Sequence, residues 1–172
     1  FAHSLTKYAS GHGDVMGGAV IGRRELIDTL REDFTNLGPT LDPHAAYLLL
    51  RGIKTYYVRW DCQCRNAMLV AEFLQSHPAV AKVRDPGLAS DPGHALAARQ
   101  MDGFGTMVTF DLQAGTDAGT RFAEALELFS ITSSAHGRSV SCTSASTPLA
   151  AVTPRGQVSV ICGLTNATSG NK

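Results

Sequence analysis

The sequence predicts a chain of mixed helix and strand, of the α/β or α+β kind. Three observations carry that reading. Apolar residues recur at helical spacing in three stretches, within 23–34, 44–75 and 118–128. Short apolar or alternating runs at 15–21, 79–83 and 107–112 have the length and pattern of strands. Proline and glycine pairs separate the two kinds of segment, and no fixed-period repeat is visible.

Taken in order, residues 1–14 are rich in glycine, histidine and hydroxyls and read as a loop or strand end. Val15 to Ile21 suits a buried strand, weakened by two glycines. In Arg23 to Phe34, residues Leu26, Ile27, Leu30 and Phe34 fall on one helix face. Pro39 and Pro43 bracket a loop, and Pro43 suits the first turn of the following helix. His44 to Gln75 reads as helix interrupted at Gly52, with Ala67–Leu74 its best amphipathic piece and Pro78 its stop. Ala79–Val83 reads as a strand, Pro86-Gly87 and Pro92-Gly93 as turns, and His94–Met101 as a short helix. Met107–Leu112 alternates as a half-buried strand does, and Ala118–Leu128 is helical again. Ser130–Ser133 and 158–162 are the remaining strand candidates.

The chain has 172 residues, 44% hydrophobic and 17% charged, with 15 basic and 15 acidic side chains. That composition belongs to a globular protein with a real core rather than a disordered one. Zero formal charge argues against nucleic-acid binding through bulk electrostatics. No apolar run reaches the roughly 18 residues of a membrane span, and no secretory signal pattern opens the chain. Four cysteines, at 62, 64, 142 and 162, then read as reduced thiols in a cytoplasmic protein. The opening on Phe1 points to a fragment or processed product. Charge is unevenly placed: after Glu127 there is no carboxylate, and after Phe129 no aromatic. The expected organisation is therefore packed protein to about residue 134 and a different, poorly ordered tail over 135–172.

One pentapeptide carries chemistry. Ser4-Leu5-Thr6-Lys7-Tyr8 places two hydroxyls beside a lysine, and in an extended segment Ser4 and Thr6 project to one side and Lys7 to the other. Hydroxyls donate to a phosphate, and a lysine amine made partly neutral by burial or nearby positive charge attacks an aldehyde. The set suits a phosphorylated aldehyde cofactor; a solvated surface lysine is the bland alternative. The same residues spell the S-x-x-K of penicillin-recognising enzymes, but its partner motifs are missing, since Lys54-Thr55 is followed by Tyr56. Cys62-x-Cys64 lacks a second ligand pair at zinc spacing, so no metal is expected. His12 beside Asp14 is explained by local loop hydrogen bonding as well as by catalysis.

Residues 3–22, HSLTKYASGHGDVMGGAVIG, resemble the lysine segment of the pyridoxal-phosphate enzymes of cysteine and methionine metabolism. Ser4, Thr6, Lys7, Tyr8, Gly11, His12, Asp14 and Gly18 fall on the pattern S-x-T-K-Y-x-x-G-H-x-D-x-x-x-G. The likeness continues through Gly38, Pro43, Ala46 and Leu50–Thr55, then Arg59, Asn66-Ala67, His77-Pro78, Pro86–Leu88, Gln100-Met101, Gly105 and Met107. It implies an aspartate-aminotransferase-type fold, of which residues 1–40 would end the large cofactor-binding domain. Residues 41–134 would form the linking helix and small α/β domain. It further implies pyridoxal 5′-phosphate held by Lys7 as a Schiff base, with Ser4 and Thr6 on its phosphate. The implied activity is carbon–sulfur lysis of a sulfur amino acid by β- or γ-elimination, as in methionine or cystathionine γ-lyase, by a homotetrameric enzyme. The alternatives are γ-replacement, as in cystathionine γ-synthase or O-acetylhomoserine sulfhydrylase, and an inactive piece of the same fold.

There are departures. The chain begins six residues before the lysine, so the family's upstream ring-stacking and phosphate-loop residues are expected outside it. Gln63 stands where the family has histidine, and Thr106 where it has glycine. After Ser134 the motifs fade, as a shifted reading frame or truncated product would make them. The chain alone is accordingly expected to bind the cofactor weakly and to turn over nothing measurable.

Overall fold

A computed structural model describes residues 1–126, 149–152 and 157–161, the last two stretches by their backbone. The chain divides into two compact units, Phe1–Tyr57 and Val58–Lys172.

The first unit opens with a two-stranded antiparallel ribbon. Its strands are β1 (Ala2–Ser4) and β2 (Gly18–Val20), registered Ala2 to Val20, His3 to Ala19 and Ser4 to Gly18. The strand expected over 15–21 is thus shorter than its apolar run, and it is not buried: Gly18 and Val20 are exposed and only Ala19 is partly covered. The apolar run instead divides its labour, because Val15 leaves the ribbon to enter the core.

Helix α1 (Arg24–Leu37) ends where Gly38 adopts φ +79° and donates its N–H to the Phe34 carbonyl. That left-handed cap is open to glycine at little cost. Helix α2 (Pro43–Ile53) starts as expected, with Pro43 in its first turn and the Asp42 carboxylate accepting from the amides of His44 and Ala45. It buries Ala45 and Leu49, which close on Val15 with Leu5 and Leu48 to make the unit's small core.

The expected helix over 44–75 breaks at Lys54-Thr55 rather than at Gly52, which lies inside α2. Helix α3 (Tyr56–Ser76) follows, and its buried residues Arg59, Gln63, Ala67, Ala71 and Leu74 recur about every fourth position. The stripe is longer than the apolar stretch, since it begins with an arginine and a glutamine.

In the second unit a four-stranded sheet runs in the order β3 (Val80–Arg84), β4 (Met107–Leu112), β6 (Gln157–Ile161), β5 (Leu149–Val152). Every pairing is antiparallel, so the described strands need no parallel crossover. Helices α4 (His94–Gln100) and α5 (Gly115–Glu124) complete the unit, α5 lying against β4, β5 and β6. In β4 the alternation expected from the sequence is realised: Val108 and Phe110 are fully buried. They join Ala67, Ala71, Leu74 and Leu88 in one cluster, and the Phe110 and Phe122 rings meet edge to face at 5.6 Å. Strand β5 was given no pattern by the sequence. The strand expected over Ser130–Ser133 lies outside the described residues, as does most of the tail.

Candidate active site

Lys7 sits in a turn, not in an extended segment. Strand β1 stops at Ser4, and the amides of Leu5 and Thr6 both donate to the Gly17 carbonyl, at 2.9 and 3.3 Å. Ser10 N–H then reaches back to the Leu5 carbonyl at 3.0 Å, and Gly11 N–H to the Lys7 carbonyl at 2.8 Å. The two-sided projection expected for Ser4, Thr6 and Lys7 therefore does not hold, because backbone bonding curls the chain before Lys7 is reached.

The curl is held at both ends. On one side, the Thr6 hydroxyl accepts from Gly17 N–H at 3.0 Å and donates to the Gly17 carbonyl at 3.2 Å. On the other, the fully buried Ser10 hydroxyl points back to the carbonyls of Thr6, at 2.8 Å, and Lys7, at 3.3 Å. Lys7 itself is half-buried between them.

Ser10 is fixed in turn by α2. A Cβ built on Gly52 would overlap the Ser10 carbonyl oxygen and stand 2.8 Å from that residue's carbonyl carbon and Cα. Glycine inside a helix costs about 1 kcal/mol relative to alanine. Forcing a methyl into backbone typically costs about 1–3 kcal/mol, which explains why the helix tolerates a glycine here. Neither Ser10 nor the reason for Gly52 was read from the sequence. The one available signal was a glycine standing in a helical pattern.

The tempting pair of His12 and Asp14 is split. His12 Nδ1 donates to the Ser10 carbonyl at 2.6 Å, which fixes its tautomer, whereas Asp14 pairs with Arg51 of α2 at 2.7 Å. The Arg51–Asp14 pair is largely solvated and worth at most about 1 kcal/mol, but it ties the glycine-rich loop to α2.

Ser4 ends β1 opposite Gly18, and Thr6 lies against Gly17, so the two hydroxyl residues face successive glycines. A concavity of about 600 Å³ runs along β1, β2 and α1 and is mostly apolar. Its lining includes Ser4 but neither Thr6 nor Lys7, so it is a groove beside the lysine turn rather than a pocket around the amine.

The chemistry of the donor set fits pyridoxal phosphate. Phosphate only accepts hydrogen bonds, and Ser4 and Thr6 supply hydroxyls next to an amine. The Thr6 hydroxyl can keep accepting from Gly17 N–H while its proton turns from the Gly17 carbonyl to a ligand. In the second unit, burial pushes the Cys64 thiol up, away from the thiolate that binds metals. Cys62 receives a long contact from Asn66 Nδ2, and no cluster of three metal-ligating side chains occurs among the described residues. Cys142 and Cys162 lie outside the described residues.

The model of the family described as Cys/Met metabolism PLP-dependent enzyme matches residues 1–160. The chain belongs to that family. The match runs past Ser134, where the sequence motifs fade, and takes in β5 and most of β6. L-methionine gamma-lyase of Pseudomonas deceptionensis is 50% identical over 132 residues, 74% of this chain and 33% of that protein. Chloroplastic cystathionine gamma-synthase 1 of Arabidopsis thaliana is 43% identical over 126 residues, 73% of this chain and 22% of its own length. The crystal structure of cystathionine gamma synthase from Xanthomonas oryzae pv. oryzae in complex with cystathionine superposes with a TM-score of 0.85 at 36% identity. It covers 95% of this chain and 45% of that one. The fold is therefore part of the aspartate-aminotransferase-type fold, and the family's cofactor is pyridoxal phosphate. The chain spans about a third or less of the length of these curated relatives. No helix among the described residues is long and apolar enough to cross a membrane.

Proposed function

We propose that this chain is part of a pyridoxal-phosphate enzyme that cleaves a carbon–sulfur bond of a sulfur amino acid by β- or γ-elimination. The observation that carries the reading is the Lys7 turn, pinned at Thr6 by Gly17 and at Ser10 by α2, in a sequence half identical to a methionine γ-lyase. When bound, the cofactor supplies an electron sink that stabilises a carbanion beside the substrate amine. Ser4 and Thr6 bind the phosphate, Thr6 by redirecting its hydroxyl proton. Lys7 would hold the cofactor aldehyde through its amine and, once displaced by the substrate amino group, would take the proton from the substrate Cα and carry protons to and from Cβ as the sulfur leaves as a thiol.

On this reading, residues 1–40 end the cofactor-binding domain and 41–134 supply the linking helix and small domain. The enzyme works as a homotetramer in the cytoplasm. A γ-replacement reaction is the second reading, favoured by the cystathionine γ-synthase relatives.

The test uses the full-length gene product loaded with pyridoxal phosphate. Methanethiol released from methionine, and lost on Lys7→Ala, is the expected result. Cystathionine formed from an activated homoserine and cysteine, without methanethiol from methionine, would favour replacement. A pyridoxyl mark found elsewhere than Lys7 after borohydride reduction would overturn the site assignment.

A further inference from the structure

We propose that Ser10, seated on Gly52, is the positioning residue that sets the direction of the Lys7 amine. The inference rests on the reading of Lys7 as the cofactor lysine and adds to it a residue that never touches the cofactor.

Each polar group of Ser10 is engaged with the lysine turn or the loop that follows it. Its N–H donates to the Leu5 carbonyl, and its hydroxyl is shared between the Thr6 and Lys7 carbonyls. Its own carbonyl accepts from His12 Nδ1. One fully buried side chain thus reaches the carbonyls on both sides of Lys7, holding that of Thr6 at 2.8 Å and sharing that of Lys7 with the Gly11 N–H. A hydroxyl so enclosed has one proton and two carbonyls to serve, so its rotamer and the orientation of the Thr6–Lys7 peptide are mutually determined.

Gly52 makes this possible by leaving room. The contact is backbone against missing side chain: the Ser10 carbonyl oxygen, carbonyl carbon and Cα all lie where a Gly52 Cβ would go. Helix α2 is in turn fixed by its Asp42 cap and by Ala45 and Leu49 in the core. The position of the turn is therefore inherited from α2. Thr6 fixes the other flank through Gly17, leaving Lys7 as the residue between two anchors.

The test labels the 172-residue chain with pyridoxal phosphate and cyanoborohydride, well below its melting temperature, and maps the modified lysines by peptide mass. Lys82, in the other unit, is the internal reference, and the readouts are the Lys7-to-Lys82 ratio and the pH midpoint of Lys7 labelling. The wild-type chain should label Lys7 faster than Lys82. Ser10→Ala should lower the ratio about fivefold, the worth of one hydrogen bond, and move the pH midpoint. Ser10→Cys, of similar size but a weaker donor, should fall between them and serves if the alanine variant does not fold. Gly52→Ala, which displaces Ser10 without removing its hydroxyl, should fall at least as far as Ser10→Ala. A wild-type ratio and midpoint in the folded Ser10 variants, whatever their melting temperatures, would overturn the proposal and leave the cofactor reading standing. Wild-type labelling that shows no preference for Lys7 would also overturn the proposal, whereas the cofactor reading stands or falls on the pyridoxyl mark in the full-length enzyme.

Discussion

The two units of this chain differ in how they use the same kind of sequence. In Val58–Lys172, amphipathic stretches find partners: α3 buries a residue about every fourth position, and Val108 and Phe110 of β4 are sealed beneath it with Phe122. In Phe1–Tyr57, α1 has as clear an apolar face, yet none of its residues is buried, and Leu26 remains 57% exposed. Three buried side chains, Val15, Ala45 and Leu49, form that unit's core. Its order comes instead from directed polar contacts around Gly17, Ser10 and Asp42. Hydrophobic patterning records what a segment is able to bury; hydrogen bonding fixes geometry where little is buried. The chemistry-bearing lysine lies in the unit of the second kind.

The contrast can be broken most severely in the packed unit. Phe110→Ala should cost about 3–5 kcal/mol in urea unfolding of the chain, because a fully buried ring leaves a cavity that neighbours fill only in part. A loss under about 1 kcal/mol would mean that β4 is not the centre of that core. Thr6→Val should lower stability by about 1–2 kcal/mol, by stranding the Gly17 amide bonded at 3.0 Å, while Thr6→Ser should retain most of it. Equal behaviour of the two variants would remove the polar account of the first unit.

A third, smaller effect depends on pH. Burial pushes the Asp85 carboxyl above the usual carboxylate range, against the opposing bond from Gly87 N–H. Between the ordinary and the raised value the folded state holds a proton that the unfolded state has released. Stability should therefore fall as pH rises through that window and level off above it. Asp85→Asn should flatten the profile, and urea midpoints measured across the acid range would reveal a slope that persists. The smallest effect is expected on α1: Leu26→Ala should change the melting free energy by less than about 0.5 kcal/mol, as exposed sites do. A larger loss would show that α1 packs as tightly as α3.

Much of this was legible in the residues. Met107–Leu112 forms the strand its alternation predicts, residue for residue, and Pro43 opens α2 as its fixed φ allows. The family was readable because the lysine segment and the motifs that follow it fall on one pattern. What escaped was decided by contacts distant in sequence. Gly52 read as a break because periodicity treats glycine as an interruption, whereas here it accommodates the Ser10 backbone. Arg59 and Gln63 read as polar positions, yet they continue the buried stripe of α3. Strand β5 carries no alternation, and its pairing with β6 is what makes it a strand. Thr6 and Lys7 were placed by an extended geometry that holds for Ser4, at the end of β1, and that bonding to the Gly17 carbonyl ends there.

The Gly52–Ser10 approach also limits how this chain could vary. All three atoms crowding position 52 are main-chain atoms, shared by every amino acid that might occupy position 10. A second-site change at 10 therefore cannot rescue a bulkier residue at 52. Relief would require a change in loop length or in the course of α2, so the two positions form a lock that single-nucleotide drift cannot open by paired steps.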